Sequence, residues 1–292
     1  MGRMLGGITI KELARRVWNE IWEDKCMNRA AELGFYSMMA LFPLLIFLLT
    51  LLSLIPGAHE VIMGYLREVM PGEAMSLVDA WMTTVFAKSS RGLLSFSLLF
   101  TLWAASSGVV ALIEVLNVAY EVEEARPFWK QRLVAIALTI TLTVLVIGGA
   151  MLMTYGDDLA AWVLGQAGLG GAIGIIWRFM NYVVGLAMLL LGIAVIYHFG
   201  PNVKQKWNWT VPGTLFAVLA FIVVSYLFSL YLRFAPGYDA TYGSLGAVVV
   251  LMLWLYLMGL VIMIGGEINS EIQRASGKPR IEKEQPDHQE AA

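Results

Sequence analysis

A single cysteine, Cys26, stands in 292 residues. That excludes an internal disulfide framework and any zinc site built from several thiolates. Charge is scarce too: Asp, Glu, Lys and Arg make up 14% of the chain, against about a quarter in soluble domains. The three histidines, His59, His198 and His288, lie far apart, and no H-E-x-x-H run exists to hold a catalytic metal. No G-x-x-x-x-G-K-[ST] loop or strand-linked glycine fingerprint offers a phosphate cradle, and no serine occupies a G-x-S-x-G elbow. The inventory shows no nucleotide, metal or serine chemistry, so the expectation is a protein that is not an enzyme and carries no cofactor and no metal.

What is abundant is apolar sequence. Hydrophobic residues are 59% of the chain and the mean hydropathy is +0.70. The hydrocarbon layer of a bilayer is about 30 Å thick and needs roughly 20 apolar residues per helix. Six stretches meet that length, at about 33–55, 93–119, 133–156, 172–198, 210–233 and 245–270. Lipid supplies no partners for backbone amides, so runs of this length must be helical, and a barrel would show short alternating segments instead. The expected class is all-α and polytopic: a cytoplasmic N-terminal segment 1–32, a six-helix membrane domain 33–270, and a polar, disordered cytoplasmic tail 271–292. The charged lead before the first span and the length of that span argue for a retained anchor rather than a cleaved signal.

Lys and Arg alternate between the connections, which sets orientation. Arg3, Lys11, Arg15, Arg16, Lys25 and Arg29 precede the first span. Arg126, Lys130 and Arg132 follow the second, Lys204 and Lys206 the fourth, and Arg274, Lys278, Arg280 and Lys283 the sixth. The opposite side holds Arg67, Lys88, Arg91, Arg178 and Arg233. Both termini are therefore expected in the cytoplasm of a bacterial inner membrane.

Leu13, Val17 and Ile21 recur every four residues beside Trp18 and Trp22. This is an amphipathic helix, either lying in the interface or packed under the bundle. On the outer face, 61–69 and 77–86 have helical apolar spacing broken at Pro71–Gly72, which predicts a helical hairpin over 58–90. Residues 157–164 read as a short outer cap with Asp157 or Asp158 as N-cap.

Helices in lipid associate through small residues. Ala104, Ser107, Gly108 and Ala111 make two small-xxx-small pairs that place the second span centrally. Gly185 with Gly192, and Gly259 with Gly266, mark further contact faces. Pro43 falls inside the first span, where it frees a carbonyl and kinks the helix or marks a gate.

Ionisable groups inside a membrane are costly and point to function or to ion pairing. Glu114 lies about 7–8 Å inside its span at 1.5 Å per residue, with Asn117 three residues on and expected on the same face. Arg29 and Arg126 are the natural partners for its carboxylate. Glu267 and Asn269 stand near the end of the last span. Arg29, Glu114, Asn117, Arg126, Glu267 and Asn269 together form a candidate inner gate or substrate site; the alternative is structural ion pairing. On the outer side Arg178 and Arg233 either snorkel to lipid phosphates or hold an anionic group.

An ordered set of short motifs completes the reading. It runs from Arg29-Ala30-Ala31, Phe35-Tyr36 and Leu41-Phe42-Pro43-Leu44 through Trp103, Leu116-Asn117, Ala119-Tyr120 and Arg126-Pro127-Phe128. It continues with Pro201-Asn202, Trp207, Pro212-Gly213, Tyr242-Gly243, Leu253-Trp254-Leu255-Tyr256 and Gly265-Gly266-Glu267-Ile268-Asn269. In this the chain resembles the YihY/BrkB family of bacterial inner-membrane proteins over nearly its whole length. The resemblance implies six spans, a link to envelope integrity and, in one branch, export of lipid or lipopolysaccharide. It also brings an old ribonuclease BN label, against which the residue inventory argues. The expected activity is that of a transporter or flippase-like protein for a lipid or other amphipathic envelope molecule, with an envelope scaffold or assembly factor as the alternative. The expected partners are membrane lipids, with self-association left open and no nucleic acid.

Overall fold

The computed structural model describes residues 7–53, 91–165, 173–234 and 244–276. Regular structure in these residues is helical throughout: α1 (Ile10–Glu23), α2 (Cys26–Ser53), α3 (Arg91–Ala119), α4 (Phe128–Gly165), α5 (Ile173–Phe199), α6 (Trp207–Phe234) and α7 (Ser244–Ala275). Helices α2 to α7 are each long and apolar enough to cross a membrane. The hairpin expected at 58–90 lies outside the described residues. So does the tail from 277 onward.

Local chemistry explains the ends. Thr9 caps α1 by accepting the Glu12 N–H on its hydroxyl at 3.3 Å, and Thr9-x-x-Glu12 has capping-box spacing. Lys25, at φ 51°, turns the chain between α1 and α2. Helix α3 closes in a Schellman arrangement: Val122 N–H reaches Asn117 O at 3.0 Å and Glu121 N–H reaches Val118 O at 2.8 Å. Glu121 occupies the left-handed position at φ 48°, where glycine is usual. Its carboxylate is ion-paired with Arg274, which helps hold this unfavourable backbone.

Sequence order is spatial order. Each of α2 to α6 packs on the next, α7 closes the ring against α2, and α3 also touches α7. The expected cap over 157–164 is instead continuous with α4, so neither aspartate there begins a new helix. The last helix likewise outruns the expected start of the tail at 271. Ile272 is fully buried and packs with Leu13 and Val17 of α1, which gives the extra turns a core of their own. The Leu13–Val17 stripe of α1 packs on α7, while Trp18 and Trp22 stay exposed.

Glycine marks the closest approaches between helices. A Cβ on Gly108 would stand 2.9 Å from Ala40 Cβ. One on Gly34 would meet Tyr256 N at 3.2 Å, and one on Gly259 would meet Ala30 O at 3.2 Å. At Gly213 a Cβ would collide with the Gly265 carbonyl. Close backbone contact of this kind replaces the hydrophobic drive that lipid removes. The polarity of the bundle is accordingly inverted. Phe42, Leu99, Val144, Leu219 and Tyr226 face outward, while Asn117, Asn202, Thr210, Glu267, Asn269 and Gln273 are buried.

Candidate functional site

The predicted inner-site residues separate into three groups rather than one. The first is a buried hub at the α3 C-terminus. Asn117 Nδ2 donates to Glu124 Oε2 at 2.8 Å, and its Oδ1 accepts the Asn202 N–H at 2.7 Å. Arg126 grips Glu124 with both edges of its fork, Nε to Oε1 and Nη2 to Oε2, each at 2.6 Å. Its Nη2 also donates to Gly200 O at 2.9 Å, and Asn202 Nδ2 donates to Glu123 O at 3.1 Å. The hub staples the loop after α3 to the loop after α5. Burial works against ionisation of Glu124, but the hydrogen bonds and charge of Arg126, with Asn117, outweigh it and hold this carboxyl below the usual range. Glu124 is thus the partner of Arg126. A residue outside the predicted span had no hydropathy signal to mark it, although Glu-x-Arg before Pro127 was there to be read.

The second group lies where α7 meets α1. Glu267 is 1% exposed, Cys26 Sγ lies 3.8 Å from its Oε1, and the Asp24 carboxyl is its neighbour. Burial, and the nearby Glu20 and Glu23, push Asp24 up despite its contact with Glu267 and the charge of Arg274. Arg274 binds Glu20 at 2.7 Å and Glu271 at 2.8 Å. Asn269, two residues from Glu267, turns instead to α6 and accepts the Gly213 N–H at 2.7 Å. Pro212 has no N–H, and the missing Cβ of Gly213 admits Asn269 there.

The third group faces outward. Arg29 pairs with Glu32 at 3.1 Å, and with Tyr36, Ala111, Glu114 and Val115 these residues line a shallow notch. Glu114 is exposed on the bundle's flank while Asn117 is buried. Three residues turn a helix by 300°, so the two straddle the boundary between core and lipid instead of sharing a face. No cation lies within 4 Å of Glu114 among the described residues. Gln131 of α4 is close by, and beside it stands Arg132, counted in the sequence only as a loop charge. Arg132 is 8% exposed. Its Nη2 donates to Trp103 O at 2.7 Å and to Ser107 Oγ at 3.1 Å, and its guanidinium lies 4.3 Å from the centre of the Trp103 ring.

Of the outer pair, Arg233 is exposed in the last turn of α6. Arg178 falls within α5, and its side chain lies outside the described residues. Among the described residues no three His, Cys, Asp or Glu side chains are grouped to hold a metal.

Two cavities open between the helices. One of about 350 Å³ lies among α2, α3, α4 and α7, with walls of Leu44, Ala105, Gly108, Leu112, Thr143 and Met258. The second, about 450 Å³, lies between α4 and α5. Leu142 and Val146 line both. Pro43 sits beside the first, between Leu41 and Leu44 of its wall, within an unbroken α2.

Comparison with known proteins agrees with this membrane architecture. The family model described as Virulence factor BrkB matches residues 17–290. YfkH of Bacillus subtilis strain 168, named as ribonuclease-like, is 35% identical over 261 residues, covering 89% of this chain and 94% of its own. A UPF0761 membrane protein of Tolumonas auensis is 23% identical, covering 87% of this chain and 83% of its own. One from Paraburkholderia xenovorans is 26% identical over 90% of this chain, which spans only 60% of that relative's length. No solved structure matches.

Proposed function

The chain belongs to the Virulence factor BrkB family of membrane proteins, and from that premise we propose that it carries a lipid or other amphipathic envelope molecule across the bilayer without catalysing a reaction. The observation that supports this reading is the apolar cavity of about 350 Å³ among α2, α3, α4 and α7. Membrane helices are held together by close packing, and protein interiors normally leave few voids larger than a water molecule. A bundle that served only as a scaffold has no use for such a volume. Ligand cavities are of this size and are mostly apolar, and an acyl chain suits walls of leucine, valine and methionine. In this reading the protein lies in the bacterial inner membrane with both termini in the cytoplasm, as the Lys and Arg distribution favours.

Reconstitution tests it. Purified protein in liposomes is expected to move fluorescent phospholipid between leaflets faster than protein-free vesicles. Thr143→Trp, which fills the cavity, is expected to slow that movement while leaving the fold intact. Vesicles with protein no faster than vesicles without it would overturn the reading. They would leave the envelope scaffold, which the buried hydrogen-bonded hub at Arg126 also suits. Reporter fusions placing either terminus outside the cytoplasm would overturn the orientation.

A further inference from the structure

Arg132 is turned the wrong way for a structural arginine in a membrane. It lies four residues into a span that begins at Phe128, about 6 Å from that end, within easy snorkelling distance of water. Side chains of a helix also lean toward its N-terminus, which here is the nearer surface. Instead the guanidinium turns away from that surface, up α3 to Ser107 and the Trp103 carbonyl. A charge turned inward from the surface is costly.

Its protein partners leave it incomplete. A guanidinium has five N–H donors, and both hydrogen bonds of Arg132 use Nη2. Nε is buried without an acceptor, and no carboxylate pairs with the group among the described residues. The Trp103 carbonyl that it reaches already accepts the Ser106 hydroxyl at 2.8 Å. Trp103, on which the guanidinium stacks, is 44% exposed on the lipid-facing side. Below it on the same flank stands Glu114, equally without a counter-ion within 4 Å. Glu114 is seven residues, two turns, from Ser107, and its side chain leans up α3 toward that serine. Below Glu114, Arg29 and Glu32 reach the surface.

We propose that this flank of α2, α3 and α4 is a headgroup track, on which Arg132 takes the phosphate and Glu114 the ammonium of a zwitterionic aminophospholipid while its acyl chains stay in the bilayer. Charge complementarity selects the occupant. A guanidinium with no carboxylate partner suits phosphate oxygens, and a carboxylate held by Gln131 but by no cation within 4 Å suits a primary ammonium with three donors. A phosphate at rest stays at the membrane surface. A partner for it turned inward from that surface serves a headgroup in transit, so the inference rests on the transport reading and names its substrate class.

Binding of lipids to the full-length protein in detergent, followed by native mass spectrometry, separates the two ideas because it needs no flux. The probes are phosphatidylethanolamine, phosphatidylglycerol, phosphatidylcholine and inorganic phosphate. Phosphatidylethanolamine is expected to bind most tightly. Arg132→Gln is expected to weaken it at least about tenfold, as loss of a charge-assisted bond of about 1.5–3 kcal/mol implies. Glu114→Gln is expected to weaken phosphatidylethanolamine but not phosphatidylglycerol, and inorganic phosphate is expected not to compete. If Arg132→Gln does not fold, Arg132→Lys keeps the charge without the planar fork and is expected to give a smaller loss of the same lipid. Unchanged binding in folded Arg132 and Glu114 variants, equal binding of phosphatidylglycerol, or full competition by inorganic phosphate overturns the proposal. Flux that persists in Arg132→Gln with unaltered headgroup preference overturns the track alone. Selective binding without flux overturns the transport reading alone.

Discussion

Glu114 and Asn117 are neighbours on α3, yet they belong to different worlds. Asn117 is locked into a hub, hydrogen-bonded to Glu124, which Arg126 grips, and to the Asn202 backbone. Glu114 looks outward beside Gln131 with no cation within 4 Å, two turns below Ser107, to which Arg132 donates. The contrast shows that polarity within a membrane bundle comes in two kinds. Satisfied polar groups hold loops and helix ends together, much as a buried network does in a soluble core. Charged ones without an ion-pair partner are retained at a continuing cost, and that cost is what points to a ligand.

The comparison can be broken at its strong side first. Arg126→Ala leaves Glu124 without its cation and is expected to destabilise the protein by about 3–5 kcal/mol. Thermal unfolding in detergent checks it, and a loss near zero would show that the hub does not staple the loops. Gly213→Ala places a methyl against the Gly265 carbonyl and is expected to cost about 1–3 kcal/mol or more through overpacking, read by the same measurement. The hub also has a pH signature. The folded-state pKa of Glu124 is depressed, so its contribution is present above the ordinary carboxylate range and is lost as the pH falls through and below it. Melting temperature followed downward from neutral pH should drop there, and Glu124→Gln should flatten that drop. A curve of unchanged shape in the variant would assign the acid sensitivity elsewhere.

Asp24 has the opposite sign. Its folded-state pKa is raised, so the ionised form is disfavoured by folding, and the penalty grows as pH rises through that value. Asp24→Asn should therefore raise the melting temperature slightly at neutral pH, with the gain vanishing in acid; a loss of stability at neutral pH would contradict this assignment. The smallest effect is expected on the flank. Glu114→Gln keeps a side chain that can bond Gln131 and removes a costly charge, so stability should stay within about 0.5 kcal/mol or rise slightly. A large loss there would mean that Glu114 is part of the packing after all, and the distinction between the two kinds of polar group would collapse.

Much of this was legible without coordinates. The six spans, the central place of α3 and the contacts at Gly108, Gly259 and Gly266 follow from run length, period and residue size. Boundaries were read short. Hydropathy falls off where polar residues begin, and it does not register that Ile272 and Gln273 are buried by α1. The candidate site was read in part. Arg29 and Glu114 do share a notch, but Asn117, Arg126, Glu267 and Asn269 are parcelled among other partners. Arg132 was missed because a charge next to a loop looks like topology, and only the direction of its side chain marks it as something else.

Run length and charge placement by themselves determined that this chain is a six-helix membrane protein, because the bilayer imposes one thickness and one backbone solution on any sequence that enters it. Which polar groups meet, and which are left facing lipid, was decided only by how the helices rotate and cross in the closed ring. A difference of 60° about the axis of α3 separates a buried amide from an exposed carboxylate, and no one-dimensional pattern carries that angle.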